Sequence, residues 1–173
     1  NFFHLGSMDW KPNLEAVTWL LNDIWPVLYG NFNNINLHLA GRKMPSWILE
    51  NNTNGVTNHG EVESANQFMN NNDIMLVPLL SAGGMRVKII EGMALGKTVI
   101  STKIGAEGIN YKDGENILIA NTIDEYKQII KMLMEHPEMI GSIGEKAREL
   151  VSNYYDNKII TKNLIQFYKD VSQ

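Results

Sequence analysis

Short apolar segments alternate with helix-periodic segments about six times along this chain, and that alternation limits the fold more than any other feature. Ile74-Met75-Leu76-Val77 is apolar at successive positions rather than at every second one, and Thr98–Ser101 reads as another buried strand. Strands of that kind belong inside a parallel sheet covered by helices on both faces. Phe2–Leu5, Asn36–Ala40, Val56–His59 and Ile117–Ala120 supply the other strands. Between them, Leu14, Val17, Leu20, Leu21 and Ile24 recur at helical spacing, with Pro12 in the first turn and Pro26 and Gly30 closing the segment. A short helix is expected over Pro45–Glu50, and Ser64 and Gln67 have capping-box spacing. A longer helix follows from about Arg86 to Leu95, and Thr122-Ile123-Asp124-Glu125 opens another. Pro137 starts a further helix, and Asp156 caps a last one carrying Ile159, Ile160, Leu164 and Tyr168. The expectation is one α/β domain over residues 1–173, with about six parallel strands between two helical layers. Ligands of such sheets bind beyond the carboxyl ends of the strands, where strand order reverses. The loops after the first and fourth strands are therefore the candidates.

Composition narrows the function. The chain has 15 basic and 19 acidic residues and a net charge of −4, so it lacks the broad basic field of a nucleic-acid binder and any anion site is local. It contains no cysteine, which excludes disulfide and thiolate chemistry and fits a reducing, cytoplasmic compartment. No apolar run approaches the ~18 residues of a membrane span, so membrane association is at most peripheral. His4, His38, His59 and His136 are scattered without ligand spacing, and no metal is expected. A nucleophile elbow, a P-loop and a first-turn Gly-x-Gly-x-x-Gly are missing, against the usual hydrolase, NTPase and NAD readings. Phe2–Leu5 reads as a strand with nothing before it, so a preceding domain is expected to be absent from this chain.

The chemistry concentrates in Pro78–Ser101. Gly83 and Gly84 precede a helix whose first turn carries Arg86 and Lys88. Two cations beside the positive end of a helix dipole are locally unfavourable, and a bound phosphate or diphosphate reverses that sign. The plainer reading is that both are solvated, with Lys88 pairing Glu91 at i,i+3. Glu91 interrupts Val87, Ile89, Ile90, Met93 and Leu95 on a helix expected to be largely buried, where an acid needs a partner. That partner is Lys88 or a ligand diol such as a ribose. The turn Gly6-Ser7-Met8-Asp9-Trp10-Lys11 offers N–H groups, a hydroxyl and an ammonium, although most such turns bind nothing.

Together these residues resemble the C-terminal domains of GT-B glycosyltransferases of the retaining group 1 family. Ile90-Glu91-Gly92-Met93-Ala94-Leu95-Gly96-Lys97-Thr98-Val99-Ile100 is similar to the family's L-E-A-M-A-x-G-x-P-V-V helix, and Gly83-Gly84-Met85-Arg86-Val87-Lys88 to its G-G-x-R-x-K variant. Gly6-Ser7-Met8-Asp9-Trp10-Lys11-Pro12-Asn13 resembles the G-S-M-D-W-x-P-N opening of the same branch, and Leu39-Ala40-Gly41, His59-Gly60-Glu61-Val62 and Gly105-Ala106-Glu107-Gly108 follow in family order. The resemblance implies a Rossmann-like three-layer α/β/α fold, the donor half of a two-domain enzyme that moves a sugar from a UDP- or GDP-type donor to a saccharide, without a cofactor or metal. It implies that Gly6, Ser7, Lys11, Gly83, Gly84, Met85, Arg86 and Lys88 hold the donor diphosphate. Glu91 would bind the ribose, and Gly60 and Val62 the base.

The sequence also departs from the family pattern. Many members place a glutamate eight positions before the second, where this chain has Gly83, and an arginine where it has Ser7. Sugar contacts are therefore assigned to Ser81, Ala82 and Glu107, with no catalytic residue identified. A GT-B nucleotide-sugar epimerase and a non-catalytic α/β regulatory module are the alternatives.

Overall fold

A computed structural model of the protein describes residues 1–171. Six strands form one all-parallel sheet: β1 (Phe2–Leu5), β2 (Leu37–Ala40), β3 (Val56–Gly60), β4 (Ile74–Val77), β5 (Thr98–Ser101) and β6 (Leu118–Ile119). Their order is β3-β2-β1-β4-β5-β6, the doubly wound arrangement expected from the alternation. The central strands feed both layers, because successive side chains point to opposite faces. Phe2, Leu37, Ile74, Leu76 and Ile100 pack with Trp25 on one face, while Phe3, Met75, Val77 and Val99 pack with Phe68 and Met93 on the other.

The helices are α1 (Lys11–Trp19), α2 (Trp25–Asn31), α3 (Ser46–Leu49), α4 (Ala65–Asn70), α5 (Val87–Ala94), α6 (Ile123–Glu135), α7 (Glu138–Tyr154) and α8 (Asn157–Val171). Three local outcomes differ from expectation. Pro26 does not close the first helix. A widened π-helical turn at Leu20–Ile24 leads into α2 with Pro26 in its first turn, where the missing N–H costs nothing. The last strand is Leu118–Ile119 rather than Ile117–Ala120, and its Ile119 N–H donates to Asp113 Oδ1 at 2.9 Å. Thr122 and Glu125 make the full reciprocal capping box, whereas at Ser64 the structure shows the Oγ arm, accepting from the Gln67 N–H at 3.2 Å.

The switch in strand order lies between β1 and β4. From β1 the chain enters α1, whose Val17 joins the core on one face of the sheet. From β4 it enters α5, whose Ile89 and Met93 join the core on the other face. The two strand-to-helix loops therefore leave the sheet's end toward opposite faces, the place where doubly wound sheets form their ligand crevice.

The α5–α7 layer depends on one close backbone approach. A Cβ on Gly144 of α7 would stand 2.0 Å from the Gly96 carbonyl oxygen, a rigid neighbour, while one on Gly141 of the same helix meets nothing within 4 Å. The usual helix gain of Gly→Ala, about 1 kcal/mol, should therefore appear at one site and reverse at the other. Gly141→Ala is expected to raise the melting temperature. Gly144→Ala is expected to destabilise by about 1–3 kcal/mol and to lower it by several degrees.

Candidate functional site

The crevice is lined by two helix starts that face each other. Trp10 is the N-cap residue of α1, its carbonyl accepting from the Asn13 and Leu14 amides. Arg86 is the N-cap residue of α5, its carbonyl accepting from Ile89 and Ile90. Arg86 is only 5% exposed. Its Nη1 donates to the Gly83 carbonyl at 3.0 Å and its Nη2 to the Gly84 carbonyl. Its Nε–H is buried without a partner, and its Cζ lies 5.8 Å from the centre of the Trp10 ring. Around Gly83 and Gly84 the space is open, and Gly84 has φ +77, a left-handed backbone that favours glycine.

Lys88 enters the same crevice from the first turn of α5. Its Nζ donates to Asn13 Oδ1 at 2.7 Å and to the Leu5 carbonyl at 3.2 Å. Burial, and secondarily the neighbouring Arg86 charge, lower its pKa to about 7. No carboxylate pairs with Arg86 or Lys88 among the described residues. Beneath them, His4 of β1 is fully buried and neutral, its pKa held well below the usual value by burial and then by Lys88. Nδ1 meets the Leu76 carbonyl at 2.8 Å, so the proton is assigned to Nδ1, and Nε2 is left without a partner.

Asn13 links the two loops. It is 5% exposed, it donates from Nδ2 to the Ser7 carbonyl at 2.9 Å, and it accepts from Lys88. A Cβ on Gly6 would fall 2.6 Å from the Asn13 amide, and one on Gly41 would fall 1.8 Å from the Gly6 carbonyl oxygen. Glycine at 6 and 41 is what lets the first loop sit between Asn13 and the β2 loop.

The expected site residues divide by position. Gly6 and Ser7 line a cleft of about 300 Å3 together with Gly41, Arg42 and Val62, which brings the first loop beside the base-site candidate. The Gly6 amide is already spent on the Ala40 carbonyl at 3.1 Å, and Ser7 Oγ donates to Asp9 at 2.6 Å. Gly60 ends β3 with φ +63, its carbonyl accepting from the Gly41 amide at 2.8 Å. Lys11 is exposed and lies 3.7 Å from Glu15, whose other oxygen accepts from Ser81 Oγ at 2.8 Å. Ser81 is thus tied to α1, and Ala82 packs on the core. Met85 is exposed beside Gly108, where a Cβ would lie 3.5 Å away, so the loop carrying exposed Glu107 borders the glycine loop.

Two expectations about α5 are corrected. Glu91 is exposed and faces solvent, so it needs no buried partner. Lys88 does not pair with it but turns inward to Asn13 and Leu5. The buried face of α5 is Ile89, Gly92 and Met93, and Glu91 falls on the opposite side. Sequence reasoning gave no role to Trp10, Asn13, Glu15 or Arg42. Asn13 carried one legible signal, an amide at a position that helical spacing buries.

A second hollow, of about 400 Å3, lies against α4 and includes His38 and His59, whose ring nitrogens are 3.0 Å apart. It contains neither of the cations of α5 and none of the glycines at the β1–β4 crevice.

Comparison with known proteins agrees with this geometry. The sequence profile of the group 1 glycosyl transferases matches residues 1–136, and the chain belongs to that family. Over 96% of its length it is 23% identical to a 44.6 kDa protein in the cps region of Klebsiella pneumoniae, and over 75% it is 28% identical to a glycosyltransferase of Methanocaldococcus jannaschii. It covers 45% and 38% of those proteins, so it spans less than half the length of these relatives. The fold superposes on Anabaena HepE, solved in complex with UDP, with TM-score 0.75 at 19% identity, covering 99% of this chain and 49% of that one. It superposes on the C-terminal domain of a Francisella tularensis group 1 family protein with TM-score 0.68 at 18% identity, covering 90% and 86% respectively. No described helix is long and apolar enough to cross a membrane.

The Lys88 geometry has a measurable consequence. With its folded pKa near 7, below the ordinary value of 10.5, Lys88 binds fewer protons folded than unfolded across that window. Its penalty on folding is full below pH 7 and shrinks as pH rises. Urea unfolding should therefore show the stability of Lys88→Met relative to wild type falling between roughly pH 7 and pH 9. An offset unchanged across that interval would contradict the assignment.

Proposed function

We propose that this chain is the nucleotide-sugar-binding domain of a glycosyltransferase that moves a sugar from a nucleoside-diphosphate sugar to a saccharide acceptor, with retention of configuration. One observation carries the reading: two cations stand at the strand-order switch, beside a helix end and an open glycine loop, with no carboxylate facing them among the described residues. A diphosphate supplies the missing negative charge. HepE, solved with UDP, and TarM of Staphylococcus aureus, solved with UDP and an α-GlcNAc-glycerol, support a nucleotide donor for this fold. The cps-region relative supports a role in polysaccharide assembly.

In this reading the base lies in the cleft lined by Gly6, Gly41 and Val62, near Gly60, and Glu91 receives the ribose hydroxyls from its solvent-facing position. The diphosphate spans Ser7 and Lys11 on one side and Gly83, Gly84, Met85, Arg86 and Lys88 on the other. The sugar emerges past Ser81, Ala82 and Glu107. During transfer the bond between the sugar's anomeric carbon and the diphosphate oxygen breaks and its electrons remain on the diphosphate, while the acceptor hydroxyl oxygen bonds that carbon on the same face and gives its proton to the departing diphosphate or to a base of the second domain. Fixed N–H groups and the two cations stabilise the charge that develops on the leaving group. They fill the place of a divalent metal, and none is required. The acceptor and any base that activates it belong to a second domain, so this domain alone binds donor without transfer. The full enzyme works in the cytoplasm, at most peripherally attached to membrane.

Arg86 decides the matter most cleanly. A hydrogen bond to a charged group contributes roughly 1.5–3 kcal/mol. Arg86→Ala should weaken nucleoside-diphosphate binding by about 10- to 100-fold in titration calorimetry while leaving the matching nucleoside nearly unaffected. Equal losses on both ligands would exclude the phosphate role.

A further inference from the structure

We infer that Trp10 is a positioning residue for the donor diphosphate, holding the Arg86 guanidinium in the crevice with the face of its indole. The inference rests on the nucleotide-sugar reading above and adds to it a residue with no assigned contact.

The geometry places the two groups on opposite walls. Trp10 caps α1 and Arg86 caps α5, so both backbones are fixed by the first-turn hydrogen bonds of their helices. The indole is 39% exposed at the crevice, and the guanidinium carbon lies 5.8 Å from its ring centre, within cation–π range. A buried guanidinium normally rests against a carboxylate. Here its two terminal nitrogens meet the loop carbonyls of Gly83 and Gly84, and its Nε–H has no partner although the residue is 5% exposed. Lys88 stands two residues on, its pKa lowered first by burial and then by the Arg86 charge. Two like charges and an unspent N–H favour release of Arg86 to solvent. The indole face opposes that release: it is electron-rich, rigid, and demands no proton or hydrogen bond.

A donor would meet an Arg86 that is already ordered. Binding energy is not lost in ordering a flexible arginine, because the side chain already lies at the helix end where the diphosphate arrives. Trp10 itself needs no contact with the nucleoside. Its removal should therefore weaken ligands in proportion to their phosphate content. A purely structural role would weaken nucleoside and diphosphate alike.

The test uses the 173-residue chain. UDP, GDP and ADP are titrated first, and the tightest of them is compared with its own nucleoside. Trp10→Leu, which keeps apolar bulk but removes the ring, should lower diphosphate affinity by about 5- to 30-fold and leave nucleoside affinity within about twofold. Trp10→Phe should recover most of the loss. Adding Trp10→Leu to Arg86→Ala should cost little beyond Arg86→Ala alone. In the wild-type chain, the Trp10 indole N–H resonance should shift with diphosphate and not with nucleoside, a readout that needs no variant to fold. Wild-type affinity in Trp10→Leu, parallel losses on both ligands, a Phe variant as weak as Leu, or an unmoved resonance would each overturn the role of Trp10 while leaving the donor site intact. Failure of the wild-type chain to bind any of the three nucleotides would instead remove the donor reading itself, and this inference with it.

Discussion

The proposed donor site depends on a repulsion left standing between Arg86 and Lys88. Arg86 and Lys88 sit two residues apart at the start of α5, turned into one crevice, with only neutral partners: loop carbonyls, an asparagine oxygen and an indole face. Burial pushes the lysine toward the neutral state. A folded protein that only needed stability would place an acid here or leave the lysine in water. The arrangement makes sense as a site completed by an anion from outside.

The fold supplies the crevice by topology and the precision by glycine. Strand order reverses between β1 and β4, so their loops diverge and α1 and α5 present their N-termini toward each other's loops. Gly41 lies against the Gly6 carbonyl, Gly6 against Asn13, and Gly144 against Gly96. Side chains at these points would hold the layers apart. Asn13 then ties the first loop to Lys88 across 75 residues of sequence, and the Lys88–Leu5 and Ser81–Glu15 hydrogen bonds join the same two halves of the sheet.

The centre of the sheet was legible because Ile74–Val77 is apolar at every position and Val99 and Ile100 continue the pattern in the neighbouring strand. Ile74–Val77 and Thr98–Ser101 appear at the expected residues, and all eight positions are buried. The cations and the glycine loop were legible as a local conflict with the helix dipole, and the family resemblance gave them order. What escaped was long-range. Nothing near Asn13 or Trp10 in sequence announces partners at 86 and 88. Glu91 looked buried because its neighbours are apolar, yet Ile89, Gly92 and Met93 form the inner face and leave it outside. Pro26 looked like a terminator because proline ends regular α-helix, and the π-helical turn before it allowed the chain to continue.

The charge state of Lys88 reports most directly on whether this crevice awaits an anion. In a protein labelled with 15N at lysine, the Nζ resonance of Lys88 should titrate near pH 7 without ligand. A bound diphosphate would stabilise the ammonium, so with saturating nucleoside diphosphate the midpoint should move upward by at least about one unit. A midpoint unmoved by a diphosphate that demonstrably binds would mean the negative charge lies elsewhere, and would contradict the account.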